Sequence, residues 1–339
     1  MRSLVAALLV AFLLTACSTA TRWSHGYGAD NPQAGTIHEV ATGREIGQRE
    51  LLARLREQDF VLVGEVPGNA DQARLAAGLV ADLARRARLG AVALESLPTD
   101  TQPLVVEYLA AHPRDALGLD RTLKAAAPDR PHLAQFSPAV AAAVTAGTQV
   151  VAADLSAETL RAVLTHGYKA LLPDFVRRTG LIEPFATPIA DGLRQEMAAA
   201  SCGRASGRDL EALARARRAR DATMADRLAA VTGRGQSVLL AAESHVRSDR
   251  GVPWYLRQLR PQARIASLAF VELAGPEAEP PAGLPYDYVW LTPSSRPPGY
   301  DGCAGLPAEG LPSAPEPAEA LAPTRSQERD RDRLADALP

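Results

Sequence analysis

Apolar positions along the chain gather into short continuous bursts, separated by longer stretches with helical spacing. The bursts are FVLV at 60–63, AVAL at 91–94, TQVVAA at 148–153, SVLLAA at 237–242, RIASLAF at 264–270 and YDYVWL at 286–291. Runs that stay apolar instead of alternating are expected of strands covered on both faces. After the first burst, Leu75, Leu79 and Leu83 recur at four-residue intervals, so 70–88 is predicted to be an amphipathic helix. Ser156 opens another helical segment at 156–165 with a side chain suited to an N-cap. A third segment, around 208–230, puts Leu210, Ala214, Arg217, Asp221, Met224 and Leu228 on one face. Strand and helix in alternation predict an α/β fold, a single domain with a central, mainly parallel sheet flanked by helices.

The two ends of the chain lack this pattern. Residues 1–16 read as a signal peptide: Arg2 supplies the positive charge, and Leu4 to Leu14 are apolar but too short to span a bilayer. The ending Leu14-Thr15-Ala16-Cys17 has the form of a bacterial lipobox, which makes Cys17 the expected lipidated residue. Ser18 rather than Asp follows it, which in a Gram-negative-type bacterium directs a lipoprotein to the outer membrane, facing the periplasm or the cell surface. Acyl chains would hold the protein on the membrane without a spanning helix. Polar residues to position 35 read as the rest of the tether, 17–35, and the fold is expected over 36–303. The stretch 304–339 is Pro- and Ala-rich and then densely charged, the composition of a disordered tail.

Composition narrows the functional classes. The 339 residues carry a net charge of −2, so no basic field exists for a nucleic-acid backbone. With Cys17 acylated, Cys202 and Cys303 remain. In an oxidising periplasm they are expected to form a disulfide; two separate buried thiols are the alternative.

The candidate chemistry sits where the bursts end. Glu65 follows FVLVG, Glu95 follows AVAL, Asp154 follows VVAA, and Glu243, Ser244 and His245 follow SVLLAA. Ligands of open α/β sheets bind outside the carboxyl ends of the strands, so these groups are expected to face one crevice. Asp154 reads as a cap or turn residue, because βα loops favour short polar side chains. Arg217 and Asp221 interrupt an otherwise apolar helix face and, at i and i+4, are placed to pair. No metal-ligand spacing, nucleophile motif or phosphate loop occurs among the histidines, cysteines and glycines.

Taken in order, LLARLREQDFVLVGE at 51–65, AVALE at 91–95, Gln102, VVAADL at 150–155, RDATMA at 220–225, LLAAESHV at 239–246, GVPWYL at 251–256 and YDYVWLTP at 286–293 resemble one family. It is the ChaN-like haem-binding uptake lipoproteins, within the broader Tiki/erythromycin-esterase-like superfamily. The resemblance implies haem binding linked to iron uptake, with haem held between two protomers by a tyrosine and a histidine. His245, Tyr168 and Tyr255 are the candidate iron ligands; Glu65, Asn69, Glu95, Arg217, Asp221 and His245 are the candidate ligand-site residues.

Two departures matter. The family's Gly-Glu-x-His-Asp-Asn reads here Gly64-Glu65-Val66-Pro67-Gly68-Asn69, and its Gly-Asn-Gly-His reads Ala242-Glu243-Ser244-His245. Hydrolytic relatives use the glutamate and histidine of the first motif, often with a metal. Proline supplies neither base nor ligand. The expectation is therefore a binding protein and not an enzyme. Its alternatives are a lipoprotein that keeps the fold as a scaffold without ligand, and a metal-dependent esterase or peptidase.

Overall fold

A computed structural model of the chain describes residues 23–86, 89–126, 133–231 and 235–304; the signal peptide, Cys17 and the stretch 305–339 lie outside them. All six apolar bursts are strands. In chain order the elements are β1 (Ile37–Glu39), β2 (Arg44–Ile46), α1 (Gln48–Arg56), β3 (Phe60–Glu65), α2 (Ala70–Arg86), β4 (Leu89–Pro98), α3 (Gln102–Ala111), α4 (Ala116–Ala126), α5 (Leu133–Thr145) and β5 (Gln149–Asp154). They continue with α6 (Ala157–His166), α7 (Pro173–Arg178), α8 (Thr187–Ala200), α9 (Gly207–Ala230), β6 (Gln236–Ala242), α10 (Val252–Leu259), β7 (Ile265–Leu273) and β8 (Tyr288–Pro293). One eight-stranded sheet has the order β2-β1-β8-β7-β3-β6-β4-β5. From β8 to β5 every pairing is parallel, and only the β1–β2 hairpin runs antiparallel to its neighbours.

The strands sort their side chains by period two. Val61, Val63, Val92, Leu94, Val238 and Leu240 point into one core with α1, α2 and α5. Phe60, Leu62, Ala91, Ala93, Leu239 and Ala241 point into the other, under α9 and α10. Both faces are covered, which explains why the bursts are continuous. The second core is rich in alanine, with Ala216, Ala219, Ala222 and Ala225 of α9 all buried. Small side chains on both surfaces let α9 lie close to β4 and β5.

The edges are protected in different ways. At β2 the edge carries Arg44 and Glu45. At β5 the Gln102 side chain stands in for a missing strand: its amide accepts from Ala152 N–H at 2.8 Å and donates to the Val150 carbonyl at 3.2 Å. Arg227 adds a bond to the Ala152 carbonyl at 3.1 Å.

Three features differ from the sequence reading. The Pro-rich region 98–138, which carries no clear periodicity, contains α3, α4 and part of α5. Residues 23–35, placed in the tether by composition, pack on the fold: Ser24 and His25 N–H groups bond the Asp71 carboxylate, and the Asn31 amide donates to the Gly275 and Ala278 carbonyls. Asp154 does more than the cap or turn expected of it: it accepts Leu155 N–H at 2.8 Å in the turn and also binds Arg220, while the cap of α6 is Ser156, as expected, whose hydroxyl accepts from Thr159 N–H at 3.1 Å. Cys202 and Cys303 are joined by a disulfide that ties the α8–α9 turn to the segment after β8. No helix among the described residues is long and apolar enough to cross a membrane.

Gly64 marks the tightest crossing. A Cβ there would lie 2.5 Å from Val246 Cγ2 and 2.6 Å from Glu243 Cα, so β3 touches the short helical turn 243–246 through hydrogen alone. Gly64→Ala is expected to cost about 1–3 kcal/mol, the usual range for overpacking a filled core. Thermal unfolding followed by circular dichroism would record it as a lowered Tm.

Candidate functional site

The parallel strands deliver Glu65, Glu95 and Asp154 to one end of the sheet, and the turn after β6 brings His245 to the same end. α9 crosses above with Arg217, Arg220 and Asp221. Every one of these groups is buried or nearly so, and most are locked together.

His245 is 2% exposed. Its Nδ1 lies 2.5 Å from Asp221 Oδ1 and its Nε2 lies 3.2 Å from Glu95 Oε1. Carboxylates at both ring nitrogens can only accept, so the imidazole donates twice, as its cation does. Burial and Arg217 oppose that charge, but Glu95 and Asp221 outweigh them and the His245 pKa is raised. For Glu95 burial also opposes the charge, yet His245 and Arg220 hold the carboxyl well below its usual range. Glu95 Oε2 accepts the Ala242 N–H at 2.6 Å, which pins the carboxylate to the end of β6.

Arg220 joins the strand ends. Its Nη2 reaches Glu95 at 2.6 Å and Asp154 at 2.8 Å, while its Nε donates to Asp154 at 2.9 Å. The fork-to-carboxylate geometry with Asp154 is the strong form of this pair. Arg217, 7% exposed, bonds Asp221 at 3.0 Å, Glu196 at 2.7 Å and the Ser244 hydroxyl at 3.1 Å. Glu196 in turn accepts from Arg250 at 2.7 Å. Glu95, Asp154, Asp221 and Glu196 thus face His245, Arg217, Arg220 and Arg250, and the buried charges cancel. Among the described residues no group of three or more His, Cys, Asp or Glu is arranged to hold a metal ion.

The first βα turn is also closed. Asn69, fully buried, accepts from Asp71 and Gln72 N–H at 3.1 Å each, and donates to Glu272 at 2.7 Å and the Pro293 carbonyl at 3.0 Å. It is the N-cap of α2 and a tie to the ends of β7 and β8. Glu65 is 1% exposed at the end of β3, in register with Ala242 of β6. Glu243 has its pKa raised, chiefly by burial.

The two tyrosines come from elements packed against α9. Tyr255 of α10 is fully buried, and its hydroxyl accepts from Arg218 Nε at 2.9 Å. Tyr168, in the helical turn after α6, has a buried hydroxyl with no hydrogen-bond partner among the described residues. The structure therefore brings Glu95, Arg217, Asp221 and His245 into one network, and Tyr168 and Tyr255 stay outside its hydrogen bonds while within reach of the Asp221 charge. Sequence reasoning missed Arg220, Glu196 and Arg250. Arg220 carried a signal, since it lies three residues from Arg217 and beside Asp221. Glu196 and Arg250 come from distant elements and carried none.

Removing Arg220 takes the bridging guanidinium from Asp154 and Glu95 and leaves Glu95 with His245. Arg220→Met is expected to destabilise the fold by about 3 kcal/mol, the low end for a broken buried pair because the guanidinium keeps some water contact. Urea denaturation would measure it. The linkage sign for His245 follows from its raised pKa. Its contribution is complete below the unfolded value, about 6.5, and is lost as pH rises through the higher folded value. Glu95 acts oppositely: its contribution is present above about 4.5 and is lost as pH falls through its depressed folded value. Wild-type Tm should fall as pH rises from 6.5 into the alkaline range, and His245→Gln should flatten that limb.

Comparisons with known proteins follow the same outline. Residues 51–256 match the family model described as haem-binding uptake, Tiki superfamily, ChaN. Among solved structures, ChaN of Campylobacter jejuni, whose structure is described as cofacial heme binding, superposes with a TM-score of 0.53 at 17% identity. The match covers 75% of this chain and 95% of that one. The type III effector HopBA1 gives 0.41 at 15% identity over 72% of this chain and 91% of the other. The erythromycin esterase EreC in its open conformation gives 0.40 at 17% identity over 77% and 83%. Comparison with curated proteins gave no match. The family model spans more than half of the sequence and includes β3, β4, β5, α9 and His245; this chain belongs to the haem-binding uptake family of the Tiki superfamily, the ChaN family.

Proposed function

We propose that this protein is a lipid-anchored haem-binding component of iron uptake, attached to the outer membrane through acylated Cys17, with haem shared between two protomers. The family match over 51–256 is the observation that carries the haem reading. The Leu-Thr-Ala-Cys ending at 14–17 supports the anchor.

The residues sort clearly when tested against a porphyrin. Haem iron is held in proteins by histidine, cysteine, methionine or tyrosine. His245 fits poorly, because both ring nitrogens are engaged by carboxylates. Tyr255 fits poorly too, being fully buried with its hydroxyl taken by Arg218. Tyr168 fits. Its buried hydroxyl has no hydrogen-bond partner among the described residues, and neither has the Arg215 Nε. Burial raises the Tyr168 pKa, while Arg218 and Arg215 favour the phenolate that ferric iron requires. Leu172 and Ile182, on the same connection between α6 and α8, are 75% and 65% exposed and supply apolar surface for a porphyrin face. When bound, haem would supply the iron that is carried. Tyr168 would ligate it, and Arg215 and Arg218 would meet its carboxylates.

One observation favours a second reading, a scaffold without ligand: the charged network at the strand ends is saturated by its own members. Hydrolysis draws no support from the residues, since Pro67 stands where the relatives have a histidine and His245 is spoken for. Titration of haemin into the protein separates the first two readings. A stoichiometric, shifted Soret band is expected, with a tyrosinate-to-iron charge-transfer band that Tyr168→Phe removes. Free-haemin spectra at every ratio would leave the scaffold.

A further inference from the structure

A groove of about 630 Å³ lies on the opposite side of the sheet, between the β1–β8 pair, the start of α1 and the middle of α2. Trp290 of β8 lies in its wall. That residue is 4% exposed, and its indole N–H is buried without a hydrogen-bond partner among the described residues. A buried donor left unmet is uncommon in folded proteins and calls for an explanation. Trp23 forms another wall, seated over Gly35, where an added Cβ would lie 3.3 Å from its ring. Ile46 and Leu75 supply aliphatic lining.

Gly78 keeps the groove open. It sits mid-helix in α2, where glycine is destabilising relative to alanine, and nothing lies within 4 Å of the Cβ it lacks. No close packing demands a glycine there. The charge at the mouth has a sign. Arg74 is met by Asp71 at 3.0 Å, whereas Glu45 on β2 is exposed and has no ion pair among the described residues.

We propose that this groove binds a small planar aromatic amine, protonated on a side arm and carrying a hydrogen-bond acceptor at its ring edge. The Trp23 indole takes the ring, the Trp290 N–H at the groove wall meets the acceptor, and Glu45 holds the ammonium; the Trp290 ring itself packs on Phe270. Indole faces attract cations as well as rings, which adds to the same preference. The proposal is independent of the haem reading, which concerns Tyr168 in the turn after α6.

The test is isothermal titration calorimetry of the full protein with three matched probes: 5-methoxytryptamine, neutral 5-methoxyindole and 5-methoxyindole-3-acetate. The amine is expected to bind saturably at one site, about tenfold more tightly than the acid, with the neutral compound between them. Gly78→Leu, a favourable helix substitution, should abolish binding while circular dichroism and haemin titration stay unchanged. Glu45→Gln, at an exposed position that does not threaten folding, should bring amine and acid to within about twofold. Three results would each overturn the proposal: no saturable heat with the amine, equal affinity for amine and acid in the wild type, or undiminished binding by folded Gly78→Leu. Should Gly78→Leu not fold, undiminished preference for the amine in Glu45→Gln overturns it instead.

Discussion

The architecture depends on charge compensation beneath α9. Placing Glu95, Asp154, Asp221 and Glu196 in a nearly dry layer would cost several kcal/mol for each unpaired ion. The cost is offset because α9 supplies Arg217 and Arg220, the turn after β6 supplies His245, and Arg250 closes the end. The geometry works only if α9 lies close to the sheet, and the alanines of α9, β4 and β6 make that approach available. Packing and electrostatics are here a single constraint. A larger residue at Ala219 or Ala222 would lift the guanidiniums away from the strand ends as surely as it would overpack the core.

The same network fixes what this end of the sheet can do. Groups at strand termini are usually read as ligands for something outside the protein. In this chain they are ligands for one another: each oxygen of Glu95 has a partner, and both nitrogens of His245 face carboxylates. A histidine held between two acids is a cation that organises its neighbours, not a free base. Ligand binding is more easily accommodated where buried polar atoms have no partner, as at Tyr168 and Arg215, than where the hydrogen-bonding capacity is spent.

Much of this was legible in the sequence, for definable reasons. The six central strands announced themselves because a strand buried on both faces must be apolar throughout. The Arg217–Asp221 pair was legible because helical spacing put both on one apolar face. The β1–β2 hairpin was not, being three residues on each side with a charged edge. Nor was α3, which opens on Gln102 and Pro103 and is apolar on nearly every side, so that no period stands out. At the site, Glu95 and His245 could be nominated one at a time from their positions after strands. Their direct contact could not, because it joins strand ends far apart in sequence, and neither could the bridge from Glu95 to Asp154 through Arg220, 125 residues from Glu95. Asp154 was legible only in part for the same reason: it makes the local turn bond expected of a short acid in a βα loop, but its pairing with the distant Arg220 could not be seen.

The first βα turn shows how a chain can keep part of a motif and change its use. Pro67 and Gly68 bring neither a base nor a side-chain ligand to this turn. Asn69 nevertheless has all four of its side-chain bonding positions filled, two by α2 amides and two by Glu272 and Pro293. The amide thereby clamps α2 to the ends of β7 and β8, and Asp71 beside it receives the N–H groups of Ser24 and His25. The turn thus anchors the start of the packed chain. Asn69 therefore belongs to the packed fold: in a buried turn, a side chain that caps α2 and ties it to two strand ends meets polar groups that would otherwise go unbonded.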